Sequence, residues 1–512
     1  MNRIGALTKK GWAILVLFGL AIVVGAGLVL DRTNIGVKAT EAVKQSSGST
    51  NPIHVCVVTW GGYAGGQYFN GGFKASKDSR YWDDYKILVD FPVIDDFNAS
   101  RLAYKSGECN LMWQTADALS TEVGNLINAG FHPVVAFQSD WSRGGDAVVV
   151  VRGINSFNEL RGKRVAVAFG TPSHTFLLRM LQAANMSLKD ITVVEVASAI
   201  DAATAFKAGR VDAAVVWSPD DQDCVQNVPG SKVLTSTREA THIIADIFYA
   251  ERDWVQSHQR ELASLIEGWM RGAAEINNDP KAKEKAVAIL AAGLNQAEDL
   301  MRNAINNARL TTYGDNVNFF NLKGNATGVT GEMLYLETGK LFEQNTNLVS
   351  HMPSWREITD LTALRSITSL TGREHAAESG ERYEVATQTE RVAPALSVKP
   401  APVHFETGSA VLSETDKSLI DLAFVPIARS YSNRIRIEGN TDSTGSREVN
   451  RRLSEARARS VRDYLVQMYQ IDPNRFVVVG NGPDKPVASN DTPDGRAKNR
   501  RTEFQLIGAP SK

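Results

Sequence analysis

The stretch KRVAVAFGTPSHTFLLRMLQAAN, residues 163–185, reads as a buried strand, a tight turn and a helix. Residues 163–170 form a short apolar run closed by glycine, and residues 173–185 carry apolar side chains at helical spacing. The same unit recurs on either side. Strands are expected at 53–60, 85–91, 110–115, 132–139, 146–151, 191–197 and 211–217, with a further helix at 199–209. Alternation of this kind specifies an α/β fold with mainly parallel sheets. After about Asp246 the pattern turns helical: Val255, Leu262, Leu265, Ile266, Trp269 and Met270 make one face over 253–277.

A chain of 512 residues is long enough for two or three domains. The formal net charge is -1, with acids interleaved among the C-terminal arginines, so nothing favours nucleic acid as a partner. Cys56 and Cys109 fall in strands of one sheet and are read as buried thiols, with a disulfide left open for an oxidising compartment. No Cys/His spacing supports a metal site, and no cofactor motif is found.

Residues 11–30, GWAILVLFGLAIVVGAGLVL, carry no charge and are long enough to cross a bilayer as a helix. Arg3, Lys9 and Lys10 precede them, which puts residues 1–10 in the cytoplasm and the bulk of the chain in the periplasm. A cleaved signal peptide would have a shorter apolar region and a small-x-small site. The expectation is therefore a single-pass inner-membrane anchor. A polar linker follows at 31–51, then a domain at 52–372. A charged, Ala/Pro-rich second linker is expected at 373–402, spanning roughly 30 Å as a coil. The last domain, 403–512, reads β–α–β–α–β, starting with a strand at 403–407.

Within it lies GNTDSTGSREVNRRLSEARARSV, residues 439–461. Val449, Leu453, Ala456, Ser460 and Tyr464 form a helical stripe expected to face the sheet, while Asn450 and Arg457 share another face. Asp442 lies in the preceding loop. A carboxylate beside a guanidinium suits a ligand bearing both an ammonium and a carboxylate; a surface salt bridge is the plainer reading. This stretch, with GNGPDKPVASNDTPDGRAKNRRTEF further on, resembles the OmpA C-terminal-like family. The resemblance implies non-covalent binding of peptidoglycan through the diaminopimelate of its stem peptide. It places Asp442 and Arg457 on that amino acid and Asn450, Thr441 and Thr444 around it, with Arg500 and Arg501 in structural roles. The chain has GNTD where the family commonly has GHTD, and GNG where it has GYG.

The stretches 142–178 and 205–220 resemble periplasmic solute-binding proteins, specifically the nitrate/sulfonate/taurine and thiamine-precursor receptors of ABC transporters. The resemblance implies two lobes, one of residues 52–145 and 246–372 and one of residues 146–245. Two crossovers, near Asp146 and Ala245, would let the lobes close on a cleft. Ligands of such sheets sit beyond the strands' carboxyl ends. The candidate ligand residues there are Trp60, Tyr63, Asp140, Trp141, Asp146, Thr171, Ser173, Trp217 and Asp220. Thr171 and Ser173 at a helix start make an anion seat; the aromatic and acidic side chains suit a cation or an amino acid. The sequence leaves that choice open. Each residue also has a structural reading: lobe packing for Trp60 and Trp217, a helix cap for Ser173, and a solvated helix position for His174.

The function expected is a membrane-anchored receptor or sensor for a small solute, tethered to peptidoglycan, with a permease or signalling partner left open. The alternative is a stator-like or scaffold component of a wall-anchored complex. Residues 11–30 hold no ionisable group of the kind ion-driven machines need, and Asp31 sits only at the edge. No nucleophile, metal-hydrolase or phosphate-loop motif supports an enzyme.

Overall fold

The computed structural model describes residues 51–508 except positions 327, 381, 402, 404 and 407. The apolar run at 11–30, most of the first linker and the last four residues lie outside this range. Among the described residues no helix is long and apolar enough to cross a membrane.

Strands β1 (Ile53–Cys56), β2 (Val89–Asp90), β3 (Leu111–Thr115) and β4 (Pro133–Ser142) begin a first sheet. The chain then crosses to a second sheet: β5 (Asp146–Val150), β6 (Arg164–Ala168), β7 (Thr192–Val196), β8 (Ala213–Trp217) and β9 (Lys232–Ser236). It returns as β10 (Ala245–Glu251), followed by helices and β11 (Ala308–Leu310). The strand orders are β11-β4-β10-β3-β1-β2 and β7-β6-β8-β5-β9. Both sheets are mixed rather than mainly parallel. The strands that enter each lobe after a crossover, β5 and β10, run antiparallel to their neighbours. Strand β10 also occupies the place where helix was expected to begin.

Alternation in β6 divides the second lobe's core. Val165 and Val167 pack with Phe176 and Leu177 of helix Pro172–Ala183, while Ala166 packs with Ala202 and Phe206 on the other face. Cys56 and Cys109 are joined as a disulfide, not held as thiols. The pairing of Cys56 with Met112 across β1 and β3 brings the start of β3 beside it.

The third sheet contains β12 (Ala395–Ala401), β13 (Ile435–Asn440), β14 (Phe476–Gly482) and β15 (Thr502–Ile507), in the order β12-β15-β13-β14. Its first strand lies inside the stretch expected to be a linker, and 403–407 is not a strand at its described positions. The inward side of β12 carries Ser397, Lys399 and Ala401, so the apolar alternation that would announce a strand is missing. The rest of that stretch is held too. Glu378 accepts from Arg143 at 2.8 Å, and Tyr383 Oη donates to Ser432 O at 2.7 Å.

The C-terminal domain seats on the second lobe rather than hanging from a tether. One apolar core runs from Val148, Val165 and Phe176 into Ile420, Phe424, Ile435 and Phe476. Polar bonds rim it: Val398 N donates to Asn158 Oδ1 at 3.0 Å, Ser432 N to Glu239 O at 2.7 Å, and Lys399 Nζ to Gln182 O at 3.3 Å. Fully burying each large apolar side chain contributes about 1.5–3 kcal/mol.

Candidate functional site

The first candidate site lies between the lobes, at the ends of β3, β5, β8 and β10. Its cavity measures 80 Å³ and is lined by Trp60, Tyr63, Trp113, Trp217, Asp146 and Asp246 among others. Phe97 of the first lobe meets Trp217 of the second at 6.1 Å, so the lobes are closed on each other.

Asp246 of β10 stands directly across from Asp140 of β4 on one side and Thr115 of β3 on the other. Tyr63 Oη donates to Asp246 Oδ2 at 2.6 Å. Trp60 Nε1 donates to Asp140 Oδ1 at 3.1 Å, and Ser139 Oγ to Asp140 Oδ2 at 2.9 Å. Gly62 makes this approach feasible, since a Cβ there would fall 2.1 Å from Asp140 Oδ2. From the second lobe, Trp217 Nε1 donates to Ser173 Oγ at 2.8 Å, and Ser173 Oγ donates to Asp146 Oδ1 at 3.3 Å. Asp117, fully buried nearby, accepts from Ala245 N at 3.4 Å.

Burial pushes Asp117 and Asp140 up to about 7. Burial and then the charge of Asp117 do the same for Asp146. Asp246 is raised well above the carboxylate range, by burial first and by Asp140 second.

The second candidate site is in the C-terminal domain, where β13 runs through Thr441 and Asp442 into helix Arg447–Tyr469. Ser446 caps that helix by accepting from Val449 N at 3.2 Å. The helix sits so close to the sheet that a Cβ on Gly439 would fall 2.1 Å from Ser454 O. Its buried face is therefore Asn450, Ser454, Arg457, Ala458, Val461 and Leu465. The expected stripe is wrong: Val449 is 56% exposed, because the tight approach selects small and polar residues instead.

Asp442 Oδ1 accepts from Thr444 N at 2.8 Å and Oδ2 from Arg500 Nη1 at 2.7 Å. Burial alone would raise this carboxyl, but Arg500 and the Thr444 amide hold it below the usual range. Asn450 Nδ2 clamps the loop by donating to Thr444 O at 2.9 Å. Arg457 donates through Nε to Ser409 O at 3.0 Å and through Nη2 to Glu406 O at 3.1 Å, and lies 4.9 Å from the Phe405 ring. Burial, then repulsion from Arg500, lowers its pKa. Among the described residues it forms no ion pair with a carboxylate.

A family model described as NMT1/THI5 like matches residues 133–283, and one described as the OmpA family matches residues 404–500. One chain thus carries an NMT1/THI5-like region followed by an OmpA-family region. The C-terminal region is 39% identical over 121 residues to outer membrane protein A of Bordetella avium, covering 22% of this chain and 62% of that protein. It is 38% identical over 108 residues to the peptidoglycan-binding protein ArfA of Mycobacterium tuberculosis, covering 21% of this chain and 33% of ArfA. The chain thus spans less than two thirds of either relative. Two solved structures align with about 60% of this chain. The periplasmic aliphatic sulphonate binding protein SsuA from Escherichia coli aligns at 17% identity and TM-score 0.47, over 60% of this chain and 98% of that one. The desulfurization enzyme DSZB aligns at 12% identity and TM-score 0.41, over 61% and 98%.

Between the two lobes the structure brings Trp60, Tyr63, Asp146 and Trp217 to the cavity and sets Asp140 and Ser173 directly behind them. Trp141 is not there. It turns to the other face of β4, lines a separate 590 Å³ cavity against the OmpA-family domain, and meets His242 edge-on at 5.1 Å. Thr171 spends its hydroxyl on Ala168 O at 2.8 Å, and Asp220 only opens helix Asp220–Asn227. His174 is not solvated: it is fully buried, stacks on Phe169 at 4.1 Å, and burial lowers it to about 4. Sequence reasoning missed Trp113, Thr115, Asp117 and Asp246. The signal for Asp246 was present, a lone acid inside the apolar run IIADIFYA. In the OmpA-family domain Asp442, Thr441 and Asn450 gather with Arg457 as a buried group and Thr444 at its rim. Arg500, expected to be structural, pairs with Asp442, while Arg501 pairs with Glu503 at 2.6 Å.

Proposed function

We propose that the chain is a small-solute receptor of the cell envelope, held to peptidoglycan by its OmpA-family domain and to the inner membrane by residues 11–30. The observation that carries the wall half is Arg457. Its guanidinium is buried, donates among the described residues to two backbone carbonyls, packs on the Phe405 ring, and is near enough to Asp442 to feel its charge. A carboxylate partner for Arg457 and an ammonium partner for Asp442 are what diaminopimelate supplies on one carbon. The name of the ArfA relative supports the same reading.

The closed two-lobed cleft, with aromatic walls and convergent buried carboxyls, is the kind of site that engulfs a small molecule. The reading is binding without catalysis. The cleft hydroxyls of Ser142 and Ser173 meet the carboxylate of Asp146, not an imidazole that would activate them.

The test is sedimentation of the full chain with purified diaminopimelate-type sacculi. Wild type pellets and free meso-diaminopimelate releases it, whereas Asp442→Asn and Arg457→Ala stay in the supernatant. Pelleting that survives both substitutions refutes the wall assignment.

A further inference from the structure

The cleft holds more acidic groups than folding explains. Asp117, Asp140, Asp146 and Asp246 are all buried around it, and among the described residues none forms an ion pair with a lysine or arginine. The buried guanidinium of Arg101 is committed to Glu122 at 3.0 Å, and that of Arg179 to Glu337 at 3.3 Å. Burying an ionised carboxylate costs several kcal/mol unless a cation accompanies it. Like charges directly opposed across a sheet add to that cost, and Asp140 and Asp246 stand in that relation.

An anion at the start of helix Pro172–Ala183 would meet a seat already filled. Pro172 has no N–H. The amides of His174 and Thr175 are turned back to Thr171 O, at 3.0 Å and 3.3 Å. Ser173 Oγ is engaged by Trp217 and Asp146, so the protein's own carboxylate sits at the positive end of the helix.

The walls fit the opposite charge. Trp60, Tyr63, Trp113 and Trp217 surround the same 80 Å³ that Asp146 and Asp246 face. Aromatic faces attract a cation within about 6 Å, most strongly where water is excluded. Among the described residues, two further lining groups, Trp113 Nε1 and Thr115 Oγ1, are buried with no hydrogen-bond partner. The indole N–H can only donate, so it asks for an acceptor on the ligand. Among the described residues no group of acids or histidines is disposed to hold a metal ion, so the positive charge belongs to an organic molecule.

We propose that the cleft takes a small hydroxyalkylammonium or quaternary ammonium compound, its nitrogen caged by Trp60, Tyr63 and Trp217 against Asp146 and Asp246, its oxygen at Trp113 and Thr115. This rests on the receptor reading of the cleft and names the ligand class for it.

The test is calorimetric titration of the full chain at pH 8 with choline, ethanolamine, tetramethylammonium and, as the anionic counterpart, ethanesulfonate. At least one of the cations saturates, and ethanesulfonate binds more weakly by about tenfold or more. Asp246→Asn loses that cation affinity by about tenfold or more yet melts no lower than wild type at pH 8. A merely structural acid would not show that combination. Saturation by ethanesulfonate with no cation binding overturns the inference and leaves the receptor standing. Unchanged cation affinity in Asp246→Asn overturns it as well. If none of the four binds, the cation assignment falls, and the receptor reading is judged separately by native mass spectrometry of the chain recovered from its own cells.

Discussion

Replacing Asp140 by asparagine should stabilise the protein, increasingly so as pH rises. Asp140 has no exposed surface and its carboxyl is pushed from 3.8 up to about 7 by burial. Between those values the native state holds a proton that the unfolded chain has released. The native state therefore binds more protons, and stability falls with rising pH until the native carboxyl ionises near 7. At about 1.4 kcal/mol per unit, the penalty is about 2 kcal/mol at pH 5 and about 4 kcal/mol at pH 8. Asparagine keeps an acceptor for Trp60 Nε1 and pays none of this. Its advantage over aspartate should grow by about 2–3 kcal/mol between pH 5 and pH 8, on the order of 3–5 °C in Tm for a domain larger than 250 residues. The histidines His174, fully buried, and His242, half-buried, lowered to about 4 and about 3, act in the opposite sense. Their neutral forms make stability rise with pH up to about 6.5. They are common to both proteins, so the difference between variant and wild type cancels them. The assay is differential scanning calorimetry of both proteins at pH 5, 6, 7 and 8 without added solute. A Tm difference that is flat in pH, or that shrinks as pH rises, refutes the argument that Asp140 is buried against its charge.

Other consequences follow from the same contacts. Gly62→Ala places a Cβ 2.1 Å from Asp140 Oδ2 and 2.4 Å from Trp60 Nε1, so it should break that bond and weaken solute binding, read by calorimetry. Phe424→Ala empties the apolar core shared by the second lobe and the OmpA-family domain, and should cost about 3–5 kcal/mol in denaturant unfolding. Arg457→Lys keeps the charge but loses the planar fork, and should weaken sacculus sedimentation nearly as much as alanine. Arg500→Ala removes the cation at 2.7 Å from Asp442, so the Asp442 carboxyl should titrate higher in NMR-monitored pH series.

The lobed α/β architecture was legible because Val, Ile and Ala alternate with helical segments through residues 146–217. The crossover strands were less so: β5 and β10 look like any other apolar run, and nothing local declares their antiparallel direction. Strand β12 hid for a different reason, since its inward Ser397 and Lys399 carry no hydrophobic signal. The seating of the C-terminal domain on the second lobe depends on surfaces brought together only by the fold, so a composition typical of a tether misled. In the cleft, Trp60, Tyr63 and Asp146 could be found at strand ends beside glycines, and Trp217 at a strand end before Ser-Pro. Trp141 could not be excluded by sequence, because the period of two in β4 sends Asp140 and Trp141 to opposite faces only once the register is known. Asp246 needed its cross-strand partner Asp140 to acquire meaning.

The receptor assignment is tested most directly by native mass spectrometry of the full chain recovered from its own cells, beside an Asp146→Asn variant prepared identically. The account predicts wild type carrying one small molecule per chain, and the variant carrying little or none. A wild-type chain of unliganded mass, or a bound species retained undiminished by Asp146→Asn, would contradict it.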